Sequence, residues 1–136
     1  MHKAQTSLEF LIVLAGFFSV LALIVPSTLN LFHASVFALD SKNAENFSQQ
    51  LLSAIEELGI LENGSTKTLS LHPMLEWVVS ANNNSITVQV NSEKLEKTKT
   101  FNFKTNSDIS YFAHSFFSKS AIKLSKQNGR ISIENG

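Results

Sequence analysis

The stretch FLIVLAGFFSVLALIV, residues 10 to 25, decides how this chain is organised. Gly16 and Ser19 are its only non-hydrophobic residues. An α-helix rises about 1.5 Å per residue, so residues 8 to 25 cover roughly 27 Å, close to the hydrocarbon thickness of a bilayer. The stretch therefore predicts a helix that can span a membrane.

The absence of charge extends well beyond this stretch. After Glu9 the next formally charged residue is Asp40. A cleaved secretory signal peptide is the first alternative, and it requires a short apolar region that ends at a small-residue cleavage site. Pro26-Ser27-Thr28 resembles such an end, but apolar residues continue after it, at Leu29, Leu31, Phe32, Val36, Phe37 and Leu39. A membrane segment is the better interpretation.

A short polar motif precedes the apolar run. Lys3 and the small residue Ala4 are followed by Gln-x-Ser-x-Glu, formed by Gln5, Ser7 and Glu9. The hydrophobic run begins directly after the glutamate. A carboxylate at this position is costly in lipid unless it is paired or reaches the interface.

This pattern resembles the class III signal peptide of archaeal type IV pilin-like proteins, and the resemblance covers residues 2 to 25. In that family a membrane-bound prepilin peptidase cuts before the glutamine, which here places the cut between Ala4 and Gln5. The resemblance implies a leader of residues 1 to 4. It also implies that identical or related pilin subunits, the prepilin peptidase and the pilus assembly machinery are partners.

The resemblance gives Gln5, Ser7 and Glu9 roles in assembly. After cleavage Glu9 is the fifth residue of the mature chain, and it pairs with the new α-amino group at Gln5 of a neighbouring subunit. Such a pair favours one register between subunits. A second, compatible interpretation makes Glu9 an interfacial charge in the first helical turn, with Ser7 as the N-cap.

The flanking charges predict the orientation of the chain in the membrane. Lys3 and the free N-terminus are the positive groups before the span, and positive flanks stay cytoplasmic. Together with the resemblance to pilin-like proteins, this single lysine predicts a cytoplasmic N-terminus and an extracellular head. The resemblance also implies that the protein lies in the cell membrane before assembly and in a cell-surface filament afterwards.

The helix is predicted to continue past the membrane segment. Pro26 removes one backbone hydrogen bond and should kink or loosen the helix nearby. Further on, apolar residues spaced three and four apart predict an amphipathic helix whose apolar face other parts of the chain must cover. Gly59 is a natural residue for the helix to end at. The stripe of apolar residues consists of Phe47, Leu51, Ile55 and Leu58, with Leu52 alongside.

The remaining residues predict antiparallel strands. Alternating apolar residues or strand-forming runs occur at 67–71, 75–80, 86–90, 101–103, 109–112, 122–124 and 131–133. Asn82-Asn83-Asn84 predicts a turn, and Asn128-Gly129 predicts a two-residue hairpin.

The predicted fold class is α+β. A long N-terminal α-helix, serving as transmembrane segment and filament core, carries a small antiparallel β-sheet head on its C-terminal half. The predicted domains are the leader 1–4, the hydrophobic helix 5–39 and the extracellular head 40–136. The predicted core consists of Phe47, Leu51, Ile55, Trp77, Val88, Phe101 and Ile131.

The sequence contains little that supports catalysis or cofactor binding. Net charge is zero, with 11 basic and 11 acidic residues, so no basic excess attracts nucleic acid. Cysteine is absent, and the chain has neither a phosphate-binding loop nor a nucleophile elbow. The histidines match no zinc spacing, and they are His2, His33, His72 and His114. We expect no enzyme activity, no metal and no cofactor.

The predicted head contains Asn-x-Ser sequons at Asn46, Asn63 and Asn83. If the head is extracellular, Asn63 and Asn83 lie on predicted loops and are reasonable acceptors for N-glycosylation. Asn46 lies on the helix, where crowding is greater.

Two functions are consistent with these observations. The first is a structural subunit, major or minor, of a type IV pilus-like filament. The second is a single-span surface protein with a small binding head that does not polymerise. A substitution at Glu9 distinguishes them, because only the filament requires the pair.

Overall fold

The computed structural model describes residues 2–136, with side chains from Lys3 onward. One helix, α1 (His2–Ile60), precedes five strands, β1 (Thr66–Leu71), β2 (Glu76–Ser92), β3 (Lys97–Phe116), β4 (Ser120–Gln127) and β5 (Arg130–Asn135). The strands form one sheet in the order β1-β4-β5-β3-β2. A long N-terminal helix with a small sheet packed against its second half is the fold class that the sequence predicts, and it is confirmed.

The chain divides into two compact units between Ser35 and Val36. The first unit consists of the N-terminal part of α1. The second contains the rest of α1 and the whole sheet, and we call it the head. The predicted division into the leader 1–4, the hydrophobic helix 5–39 and the head 40–136 stays a prediction.

The N-terminal end of α1 differs from the expectation. The helix begins at His2, so Ser7 lies inside it and is not an N-cap in the full chain. Helical structure also continues through Pro26 without interruption. The missing N–H of Pro26 leaves the carbonyl of Ala22 without its usual helical donor.

The C-terminal end of α1 is held by β4. Lys126 Nζ donates hydrogen bonds to the carbonyl oxygens of Gly59 and Leu61, at 2.8 and 2.7 Å. A cation at this position satisfies carbonyls that the helix end leaves unpaired and complements the helix dipole. A Cβ at Gly59 would meet the hydroxyl of Ser107, so a larger residue there requires that hydroxyl to rotate away.

The core of the head lies between the second half of α1 and one face of the sheet. The predicted stripe from Phe47 to Leu58 is buried, as the spacing of its apolar residues indicates. Of the predicted core residues, Phe101 is only partly buried, and the others are buried. Trp77 is the largest fully buried side chain, and its ring lies 5.8 Å from that of Phe47.

Strands β2 and β3 form one long ribbon that bends back on itself. The sequence predicts four separate short strands here, with a turn at residues 82–84. Instead, β2 continues through these residues with irregular pairing between Ala81 and Ser85. Asn91 donates a 3.0 Å hydrogen bond to Glu76 near the other end of the same strand. A straight strand would separate these residues by about 50 Å, so the ribbon must fold sharply.

The irregular pairing also explains how both halves of β2 face the core. Buried side chains occupy odd positions before the bend, from Trp77 to Ala81, and even positions after it, from Ile86 to Val90. Because a bulge shifts the alternation by one residue, the same strand can bury both halves. Asn83 adopts a left-handed conformation there, with φ of 51°.

The hairpin between β4 and β5 follows the prediction. Asn128 and Gly129 have φ of 53° and 76°, as a type I′ turn requires, and Gln127 pairs with Arg130. One pairing differs from the expected antiparallel arrangement. Strands β3 and β5 run parallel where Ile109 faces Ile131, so the sheet is mixed.

Two buried serines on α1 differ in their hydrogen bonding. Ser48 Oγ donates to the carbonyl of Glu45 at 2.7 Å. Ser41 is also buried, but its hydroxyl has no hydrogen-bond partner. An unsatisfied buried hydroxyl costs free energy, whereas a bonded one contributes modestly to stability.

We expect Ser41→Ala to be more stable than Ser48→Ala by about 1 kcal/mol, because only the second substitution removes a hydrogen bond. The gain in helix propensity is the same for both substitutions. The free energy of unfolding of the full chain in detergent can be followed by the fluorescence of Trp77, the single tryptophan. Equal stabilities, or a less stable Ser41→Ala, would contradict this account.

Candidate functional site

Residues 8–32 of α1, which we call the apolar segment, expose large hydrophobic side chains around the whole helix. The helix is long and apolar enough to cross a membrane, and none of its most apolar window is buried. The core helix of a soluble protein can match it in length and composition, but such a helix is buried. The exposed side chains are Leu8, Phe10, Leu11, Ile12, Val13, Phe17, Phe18, Val20, Leu21, Leu23, Ile24, Val25, Leu29, Leu31 and Phe32.

The hydroxyl groups of residues 19 to 35 are satisfied within the helix. Each donates to the carbonyl four residues earlier, at 2.8 to 3.1 Å. Such bonds let a serine or threonine lie in an apolar environment without a polar neighbour. The donors are Ser19, Ser27, Thr28 and Ser35.

The residues of the N-terminal motif are all exposed on α1. Ala4 and Gln5 lie in its first turns, close to the end where helices fray. Gln5 and Glu9 are four residues apart and therefore share one face of the helix, whereas Ser7 lies on another. Glu9 forms no ion pair within the described residues, so its carboxylate is available to a group from outside the chain.

A buried carboxylate joins α1 to the loop before β2. Asp40 is fully buried and accepts three hydrogen bonds, from the backbone N–H of Met74 at 3.1 Å, from that of Leu75 at 2.8 Å and from Trp77 Nε1 at 2.8 Å. Hydrogen bonds to a charged acceptor are stronger than neutral ones. Asp40 therefore positions both the loop and the tryptophan against the helix.

Sequence reasoning did not identify this role of Asp40. The one feature of the sequence that sets Asp40 apart is that it is the first charged residue after the uncharged stretch. The donors lie 34 to 37 residues further along the chain, and no local motif links them to the aspartate.

Charged residues on the surface of the head form exposed pairs. Lys42 Nζ lies 2.9 Å from a carboxylate oxygen of Glu45, and Arg130 pairs with Asp108 at the same distance. The hydrogen bond from Lys42, together with its charge, lowers the pKa of the Glu45 carboxyl group. Exposed ion pairs of this kind contribute little to the stability of the head.

The sequons differ in their surroundings. Asn46 is exposed on α1, but its partner Ser48 is buried and bonded to the helix backbone. Asn63 lies in the connection after α1, and its Oδ1 accepts a 2.9 Å hydrogen bond from Gly129 N. Asn83 is exposed at the bend of β2 rather than on a loop, and no hydrogen bond within the described chain engages its side chain. Glycosylation at these positions stays a prediction.

The histidines whose side chains the structure describes lie apart from one another. His33 contacts the ring of Phe32, His72 is exposed, and His114 packs on Phe116. The side chain of His2 lies outside the described residues. Among those residues, no three His, Asp or Glu side chains come together in a way that could hold a metal ion.

No protein-family model matches the chain, and no curated protein or solved structure gives a significant match. Its function must therefore be argued from its own residues.

We expect Asp40→Asn to destabilise the head by about 2 kcal/mol or more, because an amide turns a donor toward one of the three N–H groups and leaves it unsatisfied. The matched control is Asp108→Asn at the exposed pair, which should change stability by less than about 1 kcal/mol. Unfolding followed by Trp77 fluorescence measures both. If both variants lose the same free energy of unfolding, the buried carboxylate has no special role in stability.

Proposed function

We propose that the chain is a structural subunit of an archaeal type IV pilus-like filament, made as a membrane-inserted precursor and assembled through its N-terminal helix. The observation that carries this proposal is the exposed apolar segment, which directly follows a Gln-x-Ser-x-Glu motif. The motif supplies a cleavage site between Ala4 and Gln5. The segment supplies a surface that both lipid and neighbouring helices can cover.

The physical case begins with the cost of leaving the apolar segment in water. Each large apolar side chain is less favourable in water than when buried by about 1.5–3 kcal/mol. Lipid covers these side chains in the precursor, and the helices of neighbouring subunits cover them in the filament. Because lipid is as apolar as the side chains, the transfer itself yields little hydrophobic free energy. Packing, a specific polar pair and the assembly machinery must then favour the filament.

Glu9 supplies that polar pair. Removal of residues 1 to 4 creates a positively charged α-amino group at Gln5, and the Glu9 carboxylate of a neighbouring subunit can neutralise it. An unpaired charge in a helical bundle is strongly unfavourable, so only subunits in the matching register assemble. The helix hydroxyls support this assignment, because Ser19, Ser27 and Thr28 already bond their own helix and do not specify a register.

The head is suited to a position at the filament surface. Its core closes between the second half of α1 and the sheet, and the buried hydrophobic residues begin at Ala44. The head therefore buries a core of its own, and the apolar segment remains available for helix packing. Lys3 before the segment favours a cytoplasmic N-terminus, which places the head outside the cell.

We expect Glu9→Gln to reduce the amount of assembled filament at least about tenfold, because the α-amino group of the neighbour stays unpaired. The variant should still enter the membrane. The matched control is Glu56→Gln, which alters an exposed glutamate further along the same helix that forms no ion pair in the described chain. Immunoblots of sheared surface filaments and of membranes measure both pools.

Normal filament yield from Glu9→Gln would contradict the assembly role. A chain that stays in the membrane and forms no filaments even with Glu9 intact would instead support a single-span surface protein with a binding head.

A further inference from the structure

The single tyrosine of the chain is the most exposed aromatic residue of the head. Tyr111 lies on β3 and is 77% exposed. Its neighbour Phe112 pairs with buried Ala81, so Tyr111 points to the opposite, outer face of the ribbon. Ser80 pairs with Ala113 and therefore lies on the same outer face, diagonally across from the tyrosine.

An open cavity of about 320 Å³ lies beside this ring, at the bend of β2. The bend creates it, because its lining comes from both sides of the irregular pairing. No charged side chain is among the lining residues, which are Ser80, Ala81, Asn82, Ser85, Thr87 and Tyr111.

The polar groups of the cavity offer a defined set of hydrogen bonds. Ser85 Oγ donates to the carbonyl of Asn82 at 3.1 Å, and Thr87 Oγ1 donates to Asn102 Oδ1 at 2.8 Å. Both hydroxyls have thereby used their proton and present acceptor lone pairs. The side chains of Ser80 and Asn82 have no hydrogen bond within the described chain, so they can donate and accept.

We propose that this cavity binds a neutral saccharide, with one sugar ring stacked on Tyr111. A sugar combines an apolar C–H face, which matches the tyrosine ring, with hydroxyl groups that donate to Ser85 and Thr87. A charged ligand would lose hydration without gaining an ion pair, and a purely apolar ligand would leave the polar groups unsatisfied. The proposal concerns the head alone and does not depend on filament assembly.

The size of the site favours a small ligand over a protein partner. Tyrosine, serine and asparagine also occur together in protein-binding surfaces. A stable protein interface, however, buries roughly 800 Å² on each partner around several apolar anchors. Tyr111 is the single large aromatic side chain in the lining of this cavity. Phe117, the other strongly exposed aromatic residue of the head, lines a different cavity that contains Glu76, Glu93 and Lys94.

The test uses the full chain in a phosphocholine detergent, since a sugar-based detergent would compete. Isotope-labelled tyrosine gives one set of ring signals, which report on Tyr111 alone. The probes are maltotriose and N,N′,N″-triacetylchitotriose, both neutral, at up to about 50 mM, enough to detect millimolar binding. A galacturonic acid trisaccharide is the charged control. We expect the ring signals to shift with at least one neutral trisaccharide and not with the charged one.

Substitutions of the two exposed aromatic residues of the head test whether the saccharide binds at Tyr111. Saturation transfer from protein to saccharide protons should fall about tenfold or more in Tyr111→Ser and persist in Tyr111→Phe, which keeps the ring. Phe117→Ser is the matched control and should bind as the unaltered chain does. Two results would overturn the proposal: no shift with either neutral trisaccharide, or undiminished transfer in Tyr111→Ser. If a neutral Gly-Ser-Asn-Gly peptide shifts the ring signals and the saccharides do not, the cavity binds peptide instead. Filament yield is a separate measurement, so this proposal and the proposed function can fail independently.

Discussion

The exposed hydrophobic side chains of residues 8–32 are the constraint on which the rest of the account depends. They surround the helix on all sides, so contact with a single neighbouring surface cannot cover all of them. Lipid covers such a helix completely, and so does a bundle of identical helices. Hydroxyls bonded to their own backbone make the same segment compatible with both environments. A subunit that moves from membrane to filament needs this dual compatibility.

The second half of the same helix is covered within the chain itself. There the apolar residues narrow to one stripe, which the sheet covers, and Asp40 joins helix and sheet through three hydrogen bonds. The bend of the β2–β3 ribbon lets one hairpin bury both of its halves, from Trp77 to Val90. The same bend produces the neutral cavity beside Tyr111. One local irregularity thus contributes both to the core and to the proposed binding site.

Features set by local periodicity could be predicted from the sequence, and features set by distant contacts could not. The stripe from Phe47 to Leu58 and the Asn128-Gly129 hairpin follow from residue spacing and turn chemistry. Consecutive asparagines such as those at 82–84 occur both in turns that end a strand and in bulges that bend one. The sequence therefore did not predict that β2 continues through them. The donors to Asp40 lie 34 to 37 residues further along the chain, and Tyr111 meets the other cavity residues only because β3 pairs with β2. No local pattern in the sequence connects these residues.

The central claim is that the chain is cut before Gln5 and that the freed amine becomes part of a filament. Mass spectrometry of the N-terminal peptide, from filaments sheared off the surface of the source cells, tests it most directly. The account predicts a chain that begins Gln-Thr-Ser-Leu-Glu, with the intact precursor confined to the membrane. Surface filaments without this peptide, or surface-exposed chains that keep Met1 or His2, would contradict it.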